Sequence, residues 1–221
     1  MIEKKRGIGY TIFSNGVVIG KGTMIIEEKR AILYDIYNDF ESSVQIYKAG
    51  AICKIGCAFC CIHFGNVDII TLEGFIIHEW IEGLDKSNKA DLRKRIVKNM
   101  KKKEKRSITR CPFLNTDNTC LIYDIRPFSC RQLYSLRECT DRGPTVHRQA
   151  VQKTKKTVKR LQQLDSTGYS GHISYILHLF DKPDFKELYR SGGFDPGRIM
   201  AFGKKHGIVI NQKTVEYGIQ P

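Results

Sequence analysis

A chain of 221 residues is long enough to bury most of its apolar surface in one medium domain, so its eight cysteines are not needed as staples for compactness. The composition, 41% hydrophobic and 27% charged, is that of an ordinary globular protein, and no apolar run approaches the roughly 20 residues of a membrane-spanning helix. Thirty-seven Lys and Arg against 23 Asp and Glu give a formal charge of +14, which attracts nucleic acid, acidic proteins or anionic membrane surfaces.

Lys4, Lys5 and Arg6 are followed by Gly7-Ile8-Gly9-Tyr10-Thr11, which is no secretory core, and the expected location is cytoplasmic. Residues 8 to 26 alternate β-branched and aromatic side chains around Asn15-Gly16, a dipeptide suited to a type I′ turn, and predict a small N-terminal β-hairpin. From Glu27 to Lys48 the apolar positions Leu33, Ile36, Tyr37, Phe40, Val44 and Tyr47 keep helical spacing, with Gly50 to close the helix. Thr71 is the expected cap of a helix carrying Ile77, Trp80, Ile81 and Leu84 on one face, within a stretch from Ile69 to Leu84 read as helical. A basic helix around residues 87 to 105 follows, striped by Leu92, Ile96, Val97 and Met100.

Pro144 can open a further helix with the stripe Val151, Thr154, Val158 and Leu161, ending near Gly168. Shorter helices are expected at 171 to 180 and at 196 to 205, and Ile208-Val209-Ile210 reads as a strand. The predicted fold is mainly α: a helical domain with irregular cysteine-rich metal-binding loops and the hairpin as an appendage. The segments are 1–26 for the hairpin, 27–145 for the cysteine-cluster domain and 146–221 for a helical extension packed on it.

The cysteines fall into two groups, Cys53, Cys57, Cys60 and Cys61, then Cys111, Cys120, Cys130 and Cys139. Thiolates two or three residues apart on a tight loop can converge on one metal or cluster, and Gly56 supplies the backbone freedom such a loop needs. The second group sits among Pro112, Asn115-Thr116-Asp117-Asn118 and Pro127, irregular backbone of the kind a metal holds in place. Disulfides are disfavoured by a reducing compartment and by the adjacency of Cys60 and Cys61. An iron-sulfur cluster, of the 4Fe-4S type, is the first reading because one arm offers three or four thiols at once; zinc, which usually takes spaced pairs, is the second. His63 can replace a thiolate, although a lone histidine is more often a hydrogen-bonded bystander.

Cys53-x3-Cys57-x2-Cys60-Cys61, then Cys111-Pro112-Phe113-Leu114, Cys120-Leu121-Ile122-Tyr123, Arg126-Pro127 and Cys130-Arg131 closely resemble the YkgJ-type cysteine-cluster family, described as zinc- or iron-chelating. The resemblance covers about residues 30 to 140 and implies Cys53, Cys57, Cys60, Cys61, Cys111, Cys120 and Cys130 as ligands; Cys139 lies beyond its firmest part and completes the set of eight. Flagellin lysine methylases carry a related cysteine region, which implies a second possibility: a protein lysine methylase-like enzyme using S-adenosylmethionine beside the cluster. Arg126 and Arg131 match the pattern too, as donors to cluster sulfides or to a carboxylate-bearing cofactor, or else as structural ion pairs, for instance with Asp124. Cys53-x3-Cys57-x-Phe59-Cys60 also fits the loop of radical S-adenosylmethionine enzymes, but helix following helix after residue 69 speaks against their barrel. The basic stretch Lys86 to Arg110, with its run Lys101-Lys102-Lys103, is the expected surface for an acidic protein or other anionic macromolecule, nucleic acid included.

Overall fold

Leu33, Ile36, Tyr37, Phe40 and Val44 recur every three or four residues, and they form the buried face of α1 (Ile26–Val44). Glu27 and Glu28 in its first turn oppose the positive end of the helix dipole. A 3-10 turn over Gln45–Lys48 follows, and the chain then enters the first cysteine loop. The computed structural model describes residues 12–13, 16–17, 24–105, 109–140, 142–192 and 209–210. The hairpin is present as β1 (Ile12–Phe13) and β2 (Gly16–Val17), and Phe13 pairs with Gly16. Gly16 is therefore the first residue of the returning strand, not a turn residue.

After the first cysteine loop comes β3 (Asp68–Ile70), then α2 (Thr71–Glu82) and the basic helix α3 (Lys86–Glu104). A long irregular segment with the short α4 (Phe128–Arg131) leads to α5 (Arg148–Leu164). The chain then runs through β4 (Tyr169–His172), α6 (Ile173–Phe180), α7 (Pro183–Arg190) and β5 (Val209–Ile210). β4 is the centre of a three-stranded antiparallel sheet, with Asp68 opposite His172, Ile70 opposite Ser170 and Tyr169 opposite Ile210. The molecule is thus mainly helical, as the periodicities predict. No helix among the described residues is long and apolar enough to cross a membrane.

α6 carries the core because nearly all of it is buried, from Ile173 to Phe180, and α2 and α3 each pack on it. α5 lies along α1. Three expectations need correction. Ile69 and Ile70 belong to β3, so α2 starts later than the apolar run suggests. Thr71 is not the cap: its hydroxyl donates to Tyr169 O and accepts from Tyr169 N–H, while the Glu73 carboxylate reaches back to Ile70 N–H at 2.9 Å. The buried residues of α5 are Ala150, Thr157, Leu161, Gln162 and Leu164, with Val151 and Val158 outside. α7 was not foreseen from periodicity. The helix expected at 196 to 205 lies outside the described residues.

Candidate metal centre

The first loop is held by backbone hydrogen bonds, one to a distant segment and one within the loop. Ile52 N–H donates to Ser135 O at 2.9 Å, and Cys57 N–H closes a turn on Lys54 O at 2.9 Å. Gly56 occupies φ +84°, the left-handed conformation that the spacing of Cys53 and Cys57 calls for. Cys60–Phe64 then coils as one π-helical turn.

Where this turn ends, the second cysteine segment passes very close. A Cβ on Gly65 would lie 1.7 Å from Thr109 O, so only glycine allows the two backbones to meet. Cys111 N–H donates to Cys61 O at 2.8 Å, which joins the two cysteine groups directly. Buried Asn99 of α3 fixes the approach, donating to Thr109 Oγ1 at 2.8 Å and Arg110 O at 2.9 Å. Arg95 adds a bond to Leu114 O at 2.6 Å. α2 and α3 return the chain to the first loop by packing side by side on α6.

From Cys111 the chain makes a tight loop in which Leu114 bridges Cys120 and Leu121 N–H donates to Phe113 O at 2.9 Å. Phe113 is wholly buried beneath it. Cys130 arrives on α4, which is anchored by Phe128 N–H donating to Glu73 Oε1 at 2.7 Å. Glu73 also accepts from Ile70 N–H and from the Tyr37 hydroxyl, so a single carboxylate ties α1, α2 and α4 together. Burial pushes its pKa up, and these hydrogen bonds oppose that. Cys139 is brought back by Ser135, whose N–H contacts Cys53 Sγ at 3.3 Å and whose hydroxyl donates to Arg137 O at 2.6 Å.

All eight cysteines are free thiols. Cys53 and Cys57 are exposed and the other six are partly buried. Burial raises the thiol pKa values first and neighbouring thiols raise them further: Cys60 is pushed up to about 11 and Cys111 to about 12, and Cys130 rises well above the ordinary range. Guanidinium groups pull the other way, Arg110 on Cys61, Arg95 on Cys111 and Arg126 on Cys120. Among the described residues no group of three or more His, Cys, Asp and Glu side chains is arranged as a cation site. The chemistry of the donors nevertheless fits zinc or iron: eight soft thiols from two segments, gathered on loops, with three guanidinium groups to balance thiolate charge.

The remaining candidates fall out differently. Arg131 spends its donors on Arg126 O at 2.9 Å, Glu41 Oε1 at 3.1 Å and Asp124 O at 2.9 Å, and its guanidinium covers the Tyr37 ring. Arg126 lies 4.0 Å over the Tyr123 ring, and its buried Nε has no partner among the described residues. His63 is exposed and its ring packs on Phe59, 4.5 Å between centroids. Gly65 and Asn99 are positioning residues that sequence reasoning missed. The signal for Asn99 was a polar residue near the apolar stripe of a helix; for Gly65 there was none beyond its place after the cysteines.

Fold and thiols together define a helical protein that carries free cysteines on irregular loops. Residues 52–157 match the family model CxxCxxCC, described as "Putative zinc- or iron-chelating domain". Comparison with curated proteins and with solved structures gives no match.

Proposed function

We propose that this protein carries a cysteine-ligated iron-sulfur centre of the 4Fe-4S type, with zinc as the alternative occupant, and that it works with an anionic macromolecular partner. The observation that carries the reading is the meeting of the two cysteine groups through Cys61, Cys111 and Gly65. Thiolates from both segments can then reach one centre, and the crowded Cys53-to-Cys61 loop favours a cluster over the spaced pairs of a closed zinc site. When bound, such a cluster supplies a centre that carries one electron at a time or braces the fold. The chain itself does the rest: Phe113 is wholly buried beneath the Cys111-to-Cys120 loop, and Arg110, Arg95 and Arg126 favour the deprotonated forms of Cys61, Cys111 and Cys120.

The partner reading rests on an open groove of about 740 Å³ along α3, lined by Lys94, Lys98, Lys101, Lys102 and Lys105 with Asp181 at its edge. Lys103 turns away to bond Asn66. The methylase-like alternative has one observation in its favour, the unpartnered buried Nε of Arg126, which is free to meet a cofactor's acceptor. Anaerobic purification tests the main reading. A brown protein with acid-labile sulfide, bleached by dithionite, supports the cluster; a colourless protein holding zinc without sulfide replaces it.

A further inference from the structure

Resting on the metal-binding reading, we infer that the eight thiols form two separate four-cysteine sites, an inner one of Cys61, Cys111, Cys120 and Cys130 and an outer one of Cys53, Cys57, Cys60 and Cys139. Along the sequence the cysteines are spaced as two groups of four. In the fold each site draws on both groups.

The division begins at Cys60 and Cys61. They are neighbours on one π-helical turn, so their side chains leave the axis roughly a quarter of a turn apart and cannot both face one centre easily. Cys61 is on the side of the second segment: its carbonyl accepts from Cys111 N–H, and Cys120 lies across the Leu114 bridge from the Cys111 turn. Cys111, Cys120 and Cys130 all pack against the hydrophobic core, whereas Cys53 and Cys57 are exposed. The outer thiols have their own brace. Ser135 contacts Cys53 Sγ, accepts from Ile52 N–H and bonds Arg137 O, two residues before Cys139, so the Cys139 segment is fastened to the Cys53 end of the loop.

Four thiolates are the full complement of a closed zinc site or of a 4Fe-4S cluster, so this partition leaves no thiol over. Cys53 and Cys57 are exposed whereas Cys111, Cys120 and Cys130 pack on the core, which makes the outer site the more easily stripped.

The test is metal content per chain in the full-length protein purified anaerobically, with Cys139→Ser, Cys57→Ser/Cys139→Ser and Cys120→Ser/Cys139→Ser beside the unaltered chain. Two centres per chain are expected, halved by Cys139→Ser and still only halved by the double change within the outer site. The double change across sites should remove both. A single centre in the unaltered chain, or a Cys139→Ser protein that keeps full content, overturns the partition and leaves the metal reading standing; no metal at all overturns the metal reading itself. Because Cys120→Ser can impair folding, a chelator time course on the unaltered chain provides a second measurement. Loss in two phases of equal size agrees with an outer and an inner site, and a single phase contradicts the inference.

Discussion

Replacing Glu73 with Ala removes the one acceptor shared by Ile70 N–H, Phe128 N–H and the Tyr37 hydroxyl, all of them buried. Each buried donor left without a partner costs about 1–3 kcal/mol, and loss of a carboxylate that burial already disfavours returns part of that sum. A net loss of about 3–5 kcal/mol follows, a large share of the roughly 5–15 kcal/mol that holds a domain together. Glu73→Gln keeps the shape and one carbonyl acceptor, and the loss should be about 1–2 kcal/mol. Urea unfolding at fixed metal content measures both, and metal analysis should show Glu73→Ala depleted, since α4 carries Cys130. An Ala variant within about 1 kcal/mol of the unaltered protein, with full metal, would refute the role given to this carboxylate.

Gly65→Ala must push the first cysteine loop away from Thr109 O, and the overpacking should cost at least about 2 kcal/mol, lower the melting temperature by about 5 °C or more and reduce metal content; unchanged melting and content would contradict the close approach. Lys101→Gln, Lys102→Gln and Lys105→Gln together should leave metal content unchanged and weaken binding of a polyanion such as heparin, with a shallower salt dependence; equal affinity would return the groove to an ordinary solvated face. Burial pushes Asp165 up to about 6 despite Lys29 at 4.0 Å, so the folded state holds a proton more tightly than the unfolded one. The stability this group contributes is therefore present at low pH and lost as pH rises from about 4 through 6, by up to about 3 kcal/mol. In urea unfolding, Asp165→Asn should gain on the unaltered protein across that window, and a gap independent of pH would reject the shift.

α1 was legible because its apolar positions keep one period and the helix buries the face they define. α5 was legible as a helix but not in phase: Val151 and Val158 are apolar yet lie outside, while Ala150 and Thr157 are buried. β3 was absorbed into a helix since three residues of strand beside an apolar helix start carry no separate period. The cysteine-rich loops were visible from spacing alone. The means by which the two groups meet were not, because Gly65 against Thr109 and Asn99 against Arg110 are contacts between distant segments. Cys139, at the margin of the sequence pattern, is drawn to Cys53 by Ser135, a residue whose tertiary role no local motif announces.

The most direct measurement is iron, zinc and acid-labile sulfide per chain, determined together with free thiols on the full-length protein isolated without oxygen. The account predicts bound metal, sulfide in proportion to iron, and thiols that react only after the metal is removed. Protein that is free of metal, folded, and has all eight cysteines open to titration would contradict it.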